Sequence, residues 1–238
     1  MTINKSSFDE ISTILKKHHA TLVAVSKVRT EADIMELYNL GQRDFGENYV
    51  QELVSKQEKL PKDIRWHFIG NLQSNKVKYI APFIHLIHGV DRPNLLKEIN
   101  KQALRNDRKI DYLLQVHIAE EDTKFGFDQE ELKNLLSQND PKSTLSKYPN
   151  VQLRGLMGMA TFTSDENKIR REFRELKKLF DIYIEENKQI ENENNIEILS
   201  GKTKPFILSM GMSADYKIAL EEGSNMVRIG SLLFGARL

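Results

Sequence analysis

Short apolar runs alternate with longer amphipathic stretches along nearly the whole chain. The runs read as strands at 21–27 (TLVAVSK), 43–47, 65–70 (RWHFIG), 84–90, 111–118 (DYLLQVHI), 151–160 (VQLRGLMGMA), 206–210 and 226–231 (MVRIGS), eight in all. The stretches between them carry helix punctuation: Thr30 stands as N-cap, Ile34, Leu37 and Tyr38 form a stripe, and Gly41 is the stop. Over 168–184, Ile169, Phe173, Leu176, Phe180 and Tyr183 recur at alternating four- and three-residue steps, so they share one helical face and belong to the core. Ahead of the first strand, Ser7 and Glu10 make a capping box, and Phe8, Ile11 and Leu15 mark the buried side of an extra N-terminal helix.

Eight strands with intervening helices predict an α/β fold, a single (β/α)8 TIM-type barrel, in preference to an open doubly wound sheet. The last strand is followed only by LLFGARL, so the final helical position is expected to be short or to be filled by the N-terminal helix. No Pro/Gly/Ser-rich linker divides the chain, which predicts one domain over 1–238. The polar stretch 185–197 (EENKQIENENNIE) reads as a surface connection to the seventh strand.

Composition narrows the function. The 35 basic and 34 acidic residues leave a net charge of +1, so no overall positive field draws the chain to nucleic acid. No apolar run approaches the ~18 residues of a membrane span. The absence of cysteine excludes disulfides, thiolate catalysis and thiolate-bound zinc. With an N-terminus that lacks the apolar core of a signal peptide, these features predict a cytoplasmic protein, expected as a monomer. His18, His19, His85 and His88 show no ligand spacing, and no metal site is expected.

In such a barrel the reactive groups stand at the C-terminal ends of the strands. Lys27 ends the first one. An amine above an apolar floor titrates low, which suits imine formation with an aldehyde; alone, it reads more readily as a solvated flank. Lys124, after the fifth strand, is the next candidate amine. At the far end of the chain, SMGMSAD (209–215) and RIGS (228–231) follow the seventh and eighth strands, where these barrels recurrently bind phosphate. Gly211, Met212, Ser213, Gly230 and Ser231 form the proposed cradle, with a helix starting near Ser213 and Ser209 as a further cofactor-binding candidate. The bland alternative is two tight turns. Arg228 shares a strand face with Met226 and Gly230 and needs a partner if buried: a carboxylate, or the nitrogen of a heterocycle. Asn48, His67 and Asn71 add polar groups at two more strand ends, although a strand histidine is more often a satisfied core residue. Trp66 and Phe68 face away from His67. Met157, Met159, Met210 and Met212 suit the filling of the barrel near its mouth.

Read in order, AVSK, FGENYVQE, WHFIGNLQSNK, LRGLMGM, SMGMSADYKIALEEGS and MVRIGSLLFGAR closely resemble the YggS/PROSC family of pyridoxal phosphate-binding proteins, from about Leu22 to Arg237. The resemblance implies an alanine-racemase-like N-terminal barrel standing alone (fold type III) and a Schiff-base lysine at Lys27. It also implies a phosphate site at Ser213, Gly230 and Ser231, and an arginine, Arg228, at the pyridine nitrogen. The role it implies is homeostasis of pyridoxal 5'-phosphate: a reservoir or carrier supplying apo pyridoxal-phosphate enzymes, without turnover of its own. Many family members have proline where this chain has Thr30. Two other readings stand beside the carrier, a racemase-like enzyme and a regulatory interaction protein with a structural cofactor. The racemase also requires an acid/base opposite the cofactor, which alanine racemases take from a further domain.

Overall fold

The computed structural model describes residues 3–120, 125–136, 148–193 and 205–235, without side chains for 186–193. Its strands are β1 (Thr21–Val25), β2 (Asp44–Glu47), β3 (Arg65–Phe68), β4 (Leu86–Val90), β5 (Ile110–Gln115), β6 (Val151–Met157), β7 (Ile207–Ser209) and β8 (Met226–Ile229). All pair in parallel with their chain neighbours, and β8 returns to β1 with Val23 opposite Arg228, closing the barrel. The intervening helices are α2 (Glu31–Asn39), α3 (Val50–Lys59), α4 (Val77–Ile80), α5 (Pro93–Arg105), α6 (Gln129–Leu136), α7 (Glu166–Glu193), α8 (Tyr216–Glu221) and α9 (Ser231–Phe234), preceded by α1 (Lys5–Lys17).

The period-two alternation of each strand divides the apolar residues into two layers. Val23, Leu86, Leu113, Met157 and Met226 pack together as one cluster, with Met159 and Ile207 against them, and fill the barrel interior. A larger set fills the space between sheet and helices, including Phe45, Trp66, Phe68, Tyr112 and the expected stripe Ile169, Phe173, Leu176, Phe180 and Tyr183. Met210 belongs to this outer layer and not to the mouth. A residue one step out of phase with its barrel-facing neighbours points to the helices.

Helix ends depart from the sequence reading in three places. Asn4, and not Ser7, caps α1: its side chain accepts the Ser7 N–H at 3.0 Å, and Ser7 lies within the first turn. Residues 213–215 form a turn, so α8 begins at Tyr216, after Asp215, instead of near Ser213. The polar stretch expected as a connection continues α7 as far as Glu193, since Glu, Lys and Gln favour helix without any need for burial; 194–197 lie outside the described residues. Thr30 does cap α2, in a reciprocal capping box with Asp33.

Closure after β8 uses both expected devices. Helix α9 is a single turn, and α1 packs against it, with the Asn4 N–H donating to the Leu233 carbonyl at 2.8 Å. Phe8, Ile11 and Leu15 supply the buried face of α1.

A candidate ligand pocket at the barrel mouth

Beyond the C-terminal ends of the strands lies a cavity of ≈ 390 Å³ whose lining includes Lys27, Asn48, Met212, Ser213, Arg228, Gly230 and Ser231. Seven residues expected in a site thus meet in one space, although Lys27 and Ser213 are far apart in the chain. Three others do not line it. His67 and Ser209 are buried below, and Gly211 lies behind the wall. Asn71 is exposed outside it, and Lys124 lies outside the described residues. The structure adds Arg29, Thr161 and Phe162, which the motifs did not single out, and with them Ile69 and Met159 from two of the quoted motifs, Met159 at the mouth as expected. Thr161 is fixed by Glu172 of α7, whose carboxylate accepts its N–H at 2.6 Å and its hydroxyl at 2.7 Å.

Lys27 follows β1 by two residues, in a turn held by charge. The next residue, Val28, has φ +61°, a left-handed conformation that is costly for a β-branched side chain. Its N–H donates to Glu52 Oε1 at 2.6 Å, and that oxygen also accepts from Lys56 Nζ at 2.6 Å. Lys56 is buried and donates as well to Glu47 Oε1 and to the Ser26 carbonyl, each at 2.8 Å. Burial pushes the Glu47 carboxyl up from its ordinary range, against the opposing pull of Lys56. A carboxylate of α3 therefore clamps the backbone beside Lys27.

The loops after β7 and β8 are tied to one another. The Gly230 N–H donates to Ser213 Oγ at 3.3 Å, and the Arg228 N–H to the Gly211 carbonyl at 3.0 Å. Gly211, at φ +96°, is required by packing: a Cβ there would lie 2.6 Å from that of Ala219 on α8. Gly70 serves a similar close approach, since its Cβ would meet the Asn48 carbonyl oxygen at 2.5 Å. These glycines set loop positions and leave the cavity wall to Ser213, Gly230 and Ser231.

Arg228 is buried, and the bonds it makes go to uncharged oxygens. Nη1 donates to the Ser209 carbonyl at 2.9 Å and to Ser209 Oγ at 2.7 Å, and Nη2 to the Gly158 carbonyl at 3.1 Å. Burial pushes its pKa down to about 10, against the opposing charge of Asp215, so the guanidinium stays cationic at neutral pH. The carboxylate bridge that the sequence left open is not its hydrogen-bonding partner.

Below the mouth, His67 is a satisfied interior residue. Its Nδ1 is 2.9 Å from His88 Nε2 and its Nε2 is 3.0 Å from Asp44 Oδ1. His88 Nδ1 is in turn 3.2 Å from Ser209 Oγ. Folding also brings Asp44, His67 and His85 close enough for one ligand atom from each to lie within 4.8 Å of the others, a grouping that sequence spacing did not reveal. Arg65 already occupies both oxygens of Asp44, through Nε at 2.7 Å and Nη2 at 2.5 Å. Both oxygens of the one carboxylate in the grouping are thus engaged by a guanidinium.

The cavity fits an aldehyde-bearing aromatic phosphate. It offers an amine, two serine hydroxyls beside a glycine-containing turn and a buried guanidinium. It also offers Asn48, whose Oδ1 is buried with no hydrogen-bond partner among the described residues. A buried amide oxygen left in that state points to a missing partner.

Comparison with known proteins places the whole chain among relatives. Residues 5–238 match the family described as alanine racemase, N-terminal domain. A pyridoxal phosphate homeostasis protein of Aquifex aeolicus is 41% identical over 219 residues, covering 92% of this chain and 87% of that one. The structure of PipY from Synechococcus elongatus with pyridoxal phosphate bound superposes with a TM-score of 0.76 at 30% identity, over 96% of this chain and 100% of that one. The alanine racemase of Bartonella henselae shares the fold alone, with a TM-score of 0.64 at 14% identity over 96% of this chain and 58% of that one.

Proposed function

Because the chain belongs to the pyridoxal phosphate homeostasis protein family, within the alanine racemase N-terminal domain fold, we propose that it binds pyridoxal 5'-phosphate reversibly through a Schiff base at Lys27 and serves as a reservoir or carrier. The observation that carries this reading is the convergence of Lys27, Arg228 and the Ser213–Gly230–Ser231 wall on one cavity.

Each residue has a part set by its position. When bound, the cofactor supplies an aldehyde carbon for the Lys27 amine and a phosphate dianion at the opposite end. Ser213 and Ser231 would donate hydroxyl hydrogens to that dianion, and the glycine at 230 would let backbone come close to it. Arg228 would hold the ring nitrogen as a donor that gives up no proton near neutrality, and a nitrogen held so would stay unprotonated and leave the ring a weaker electron sink. Asn48, just after β2, would offer its amide to the ring, and Ile69, Met159 and Phe162 would give it apolar surface in the cavity lining. His67, Ser209 and Gly211 act from beneath or behind the wall.

With Arg228 at the ring nitrogen, the site would lend little stabilisation to negative charge on a bound substrate, and it would favour release and transfer of the cofactor over racemisation or transamination. The test is to load the protein, remove excess ligand and mix it with an apo pyridoxal-phosphate enzyme. Reactivation is expected, together with no appreciable turnover of common amino acids by the loaded protein. Robust racemase or aminotransferase turnover that disappears in Lys27→Ala would overturn the carrier reading in favour of the enzyme.

A further inference from the structure

A hydrogen-bonded file of side chains crosses the barrel interior from the end opposite the pocket. It runs from Arg65 to Asp44, His67, His88, Ser209 and Arg228, with separations of 2.7, 3.0, 2.9, 3.2 and 2.7 Å. His67, His88, Ser209 and Arg228 are each at most 4% exposed. Such a file costs desolvation unless every member is satisfied.

Its two ends determine the direction of every bond. Arg228 only donates, so Ser209 Oγ accepts from it and retains its own hydrogen to give. The Asp44 carboxylate only accepts, so His67 presents Nε2–H to it and leaves Nδ1 as an acceptor. His88 then donates from Nε2 to His67 and accepts at Nδ1 from the Ser209 hydroxyl. Both imidazoles are neutral and carry the proton on Nε2. With that assignment each of the file's hydrogens finds an acceptor. The opposite direction would need a second cation beneath Arg228 and would leave the Ser209 hydroxyl hydrogen without an acceptor in the file. Burial, with the neighbouring Arg228 charge, holds His88 well below its ordinary pKa, in keeping with its neutral form.

We infer that Asp44, His67 and His88 are positioning residues for Arg228, the file locking Ser209 as the acceptor that aims the guanidinium at the pyridine-nitrogen end of the pocket. The inference rests on the pyridoxal phosphate reading of that pocket. It explains why a continuous polar chain lies beside the apolar inner cluster of Val23, Leu86, Leu113, Met157 and Met226. Packing needs no defined proton at these positions, whereas aiming a guanidinium does.

The test reads the imidazole nitrogens of the full chain by NMR, ligand-free, and the pH midpoint of visible absorption after loading. In the wild type both His67 and His88 are expected as neutral Nε2–H forms. Asp44→Asn can offer an amide hydrogen to His67 and so permits the reverse direction. His88 is then expected to gain Nδ1–H population, and the absorption midpoint to move by at least ~0.5 pH unit. A wild-type His88 carrying its proton on Nδ1 would overturn the inference. So would imidazoles that respond in Asp44→Asn while the cofactor's absorption stays still, or a variant in which neither changes. If Asp44→Asn does not fold, the wild-type tautomers decide the matter alone. Failure of wild-type protein to form a borohydride-trappable adduct on Lys27 would instead remove the pocket reading, leaving the direction of the file measurable in ligand-free protein.

Discussion

The Gly230 N–H donates to Ser213 Oγ at 3.3 Å, joining the loop after the seventh strand to the one after the eighth across 17 residues of chain. With the serine oxygen accepting, its hydrogen is left to point at a ligand. Replacing Ser213 and Ser231 together by alanine is expected to weaken pyridoxal phosphate binding at least about tenfold, in line with ~1.5–3 kcal/mol for hydrogen bonds to a charged group. Binding of pyridoxal, which lacks the phosphate, should change much less. Titration of both ligands into the double variant distinguishes a phosphate cradle from a mere pair of turns; equal losses would indicate turns.

Lys27 stands in the turn after β1 and lines the cavity. Lys27→Ala should abolish the borohydride-trapped cofactor adduct and leave stability within about 1 kcal/mol of wild type, because a half-buried side chain at a cavity wall makes little packing. Peptide mass mapping after reduction reads the first outcome and urea denaturation the second. A native-stoichiometry adduct surviving in the variant would move the assignment to another lysine, with Lys124 the next to examine.

Val28 lies beside that lysine in a left-handed conformation with its side chain 67% exposed. Val28→Gly removes the strain of a β-branched residue at positive φ and forfeits almost no burial. A gain of ~1 kcal/mol in unfolding free energy is expected, after the extra freedom of glycine in the unfolded chain is subtracted. Cofactor affinity should fall at the same time, because the backbone next to Lys27 is less restricted. Thermal denaturation with ligand titration on one preparation checks both signs.

Asp44 sets the acid limb of stability. Burial pushes its carboxyl up, but the hydrogen bonds from His67 and Arg65, with the Arg65 charge, outweigh that and hold it well below the usual carboxylate range. A folded pKa depressed in this way contributes stability that is fully present above the unfolded value, ~3.9, and is lost as the pH falls below it towards the folded pKa. Asp44→Asn should therefore be less stable than wild type at neutral pH and lose less on acidification. Urea midpoints between about pH 6 and pH 3 measure the two slopes; parallel curves would contradict the pairing.

Much of this was legible in the chain because strand alternation and helix periodicity are local. Eight strands appeared within a few residues of their observed places, and His67 could be separated from Trp66 and Phe68 by a period of two. Lys27 and the Ser213, Gly230 and Ser231 motifs were readable for the same reason, since each sits at the end of a local strand signal. The start of α8 was misplaced because Ser213 serves the adjoining loop through Gly230 and not a helix, a partnership invisible from its own neighbours.

What the sequence alone determined is therefore the repeating unit, the layer each strand residue enters and the residues at the strand ends. The tertiary structure decided which of those ends share a cavity, that Gly211 packs on a helix while Ser213 lines the wall, and that Asp44, His67, His88 and Ser209 form one file. The bonds of that file join residues 21 to 121 apart. Their existence depends on the register between strands and on closure of β8 against β1, and a one-residue slip would turn every inward side chain out towards the helices.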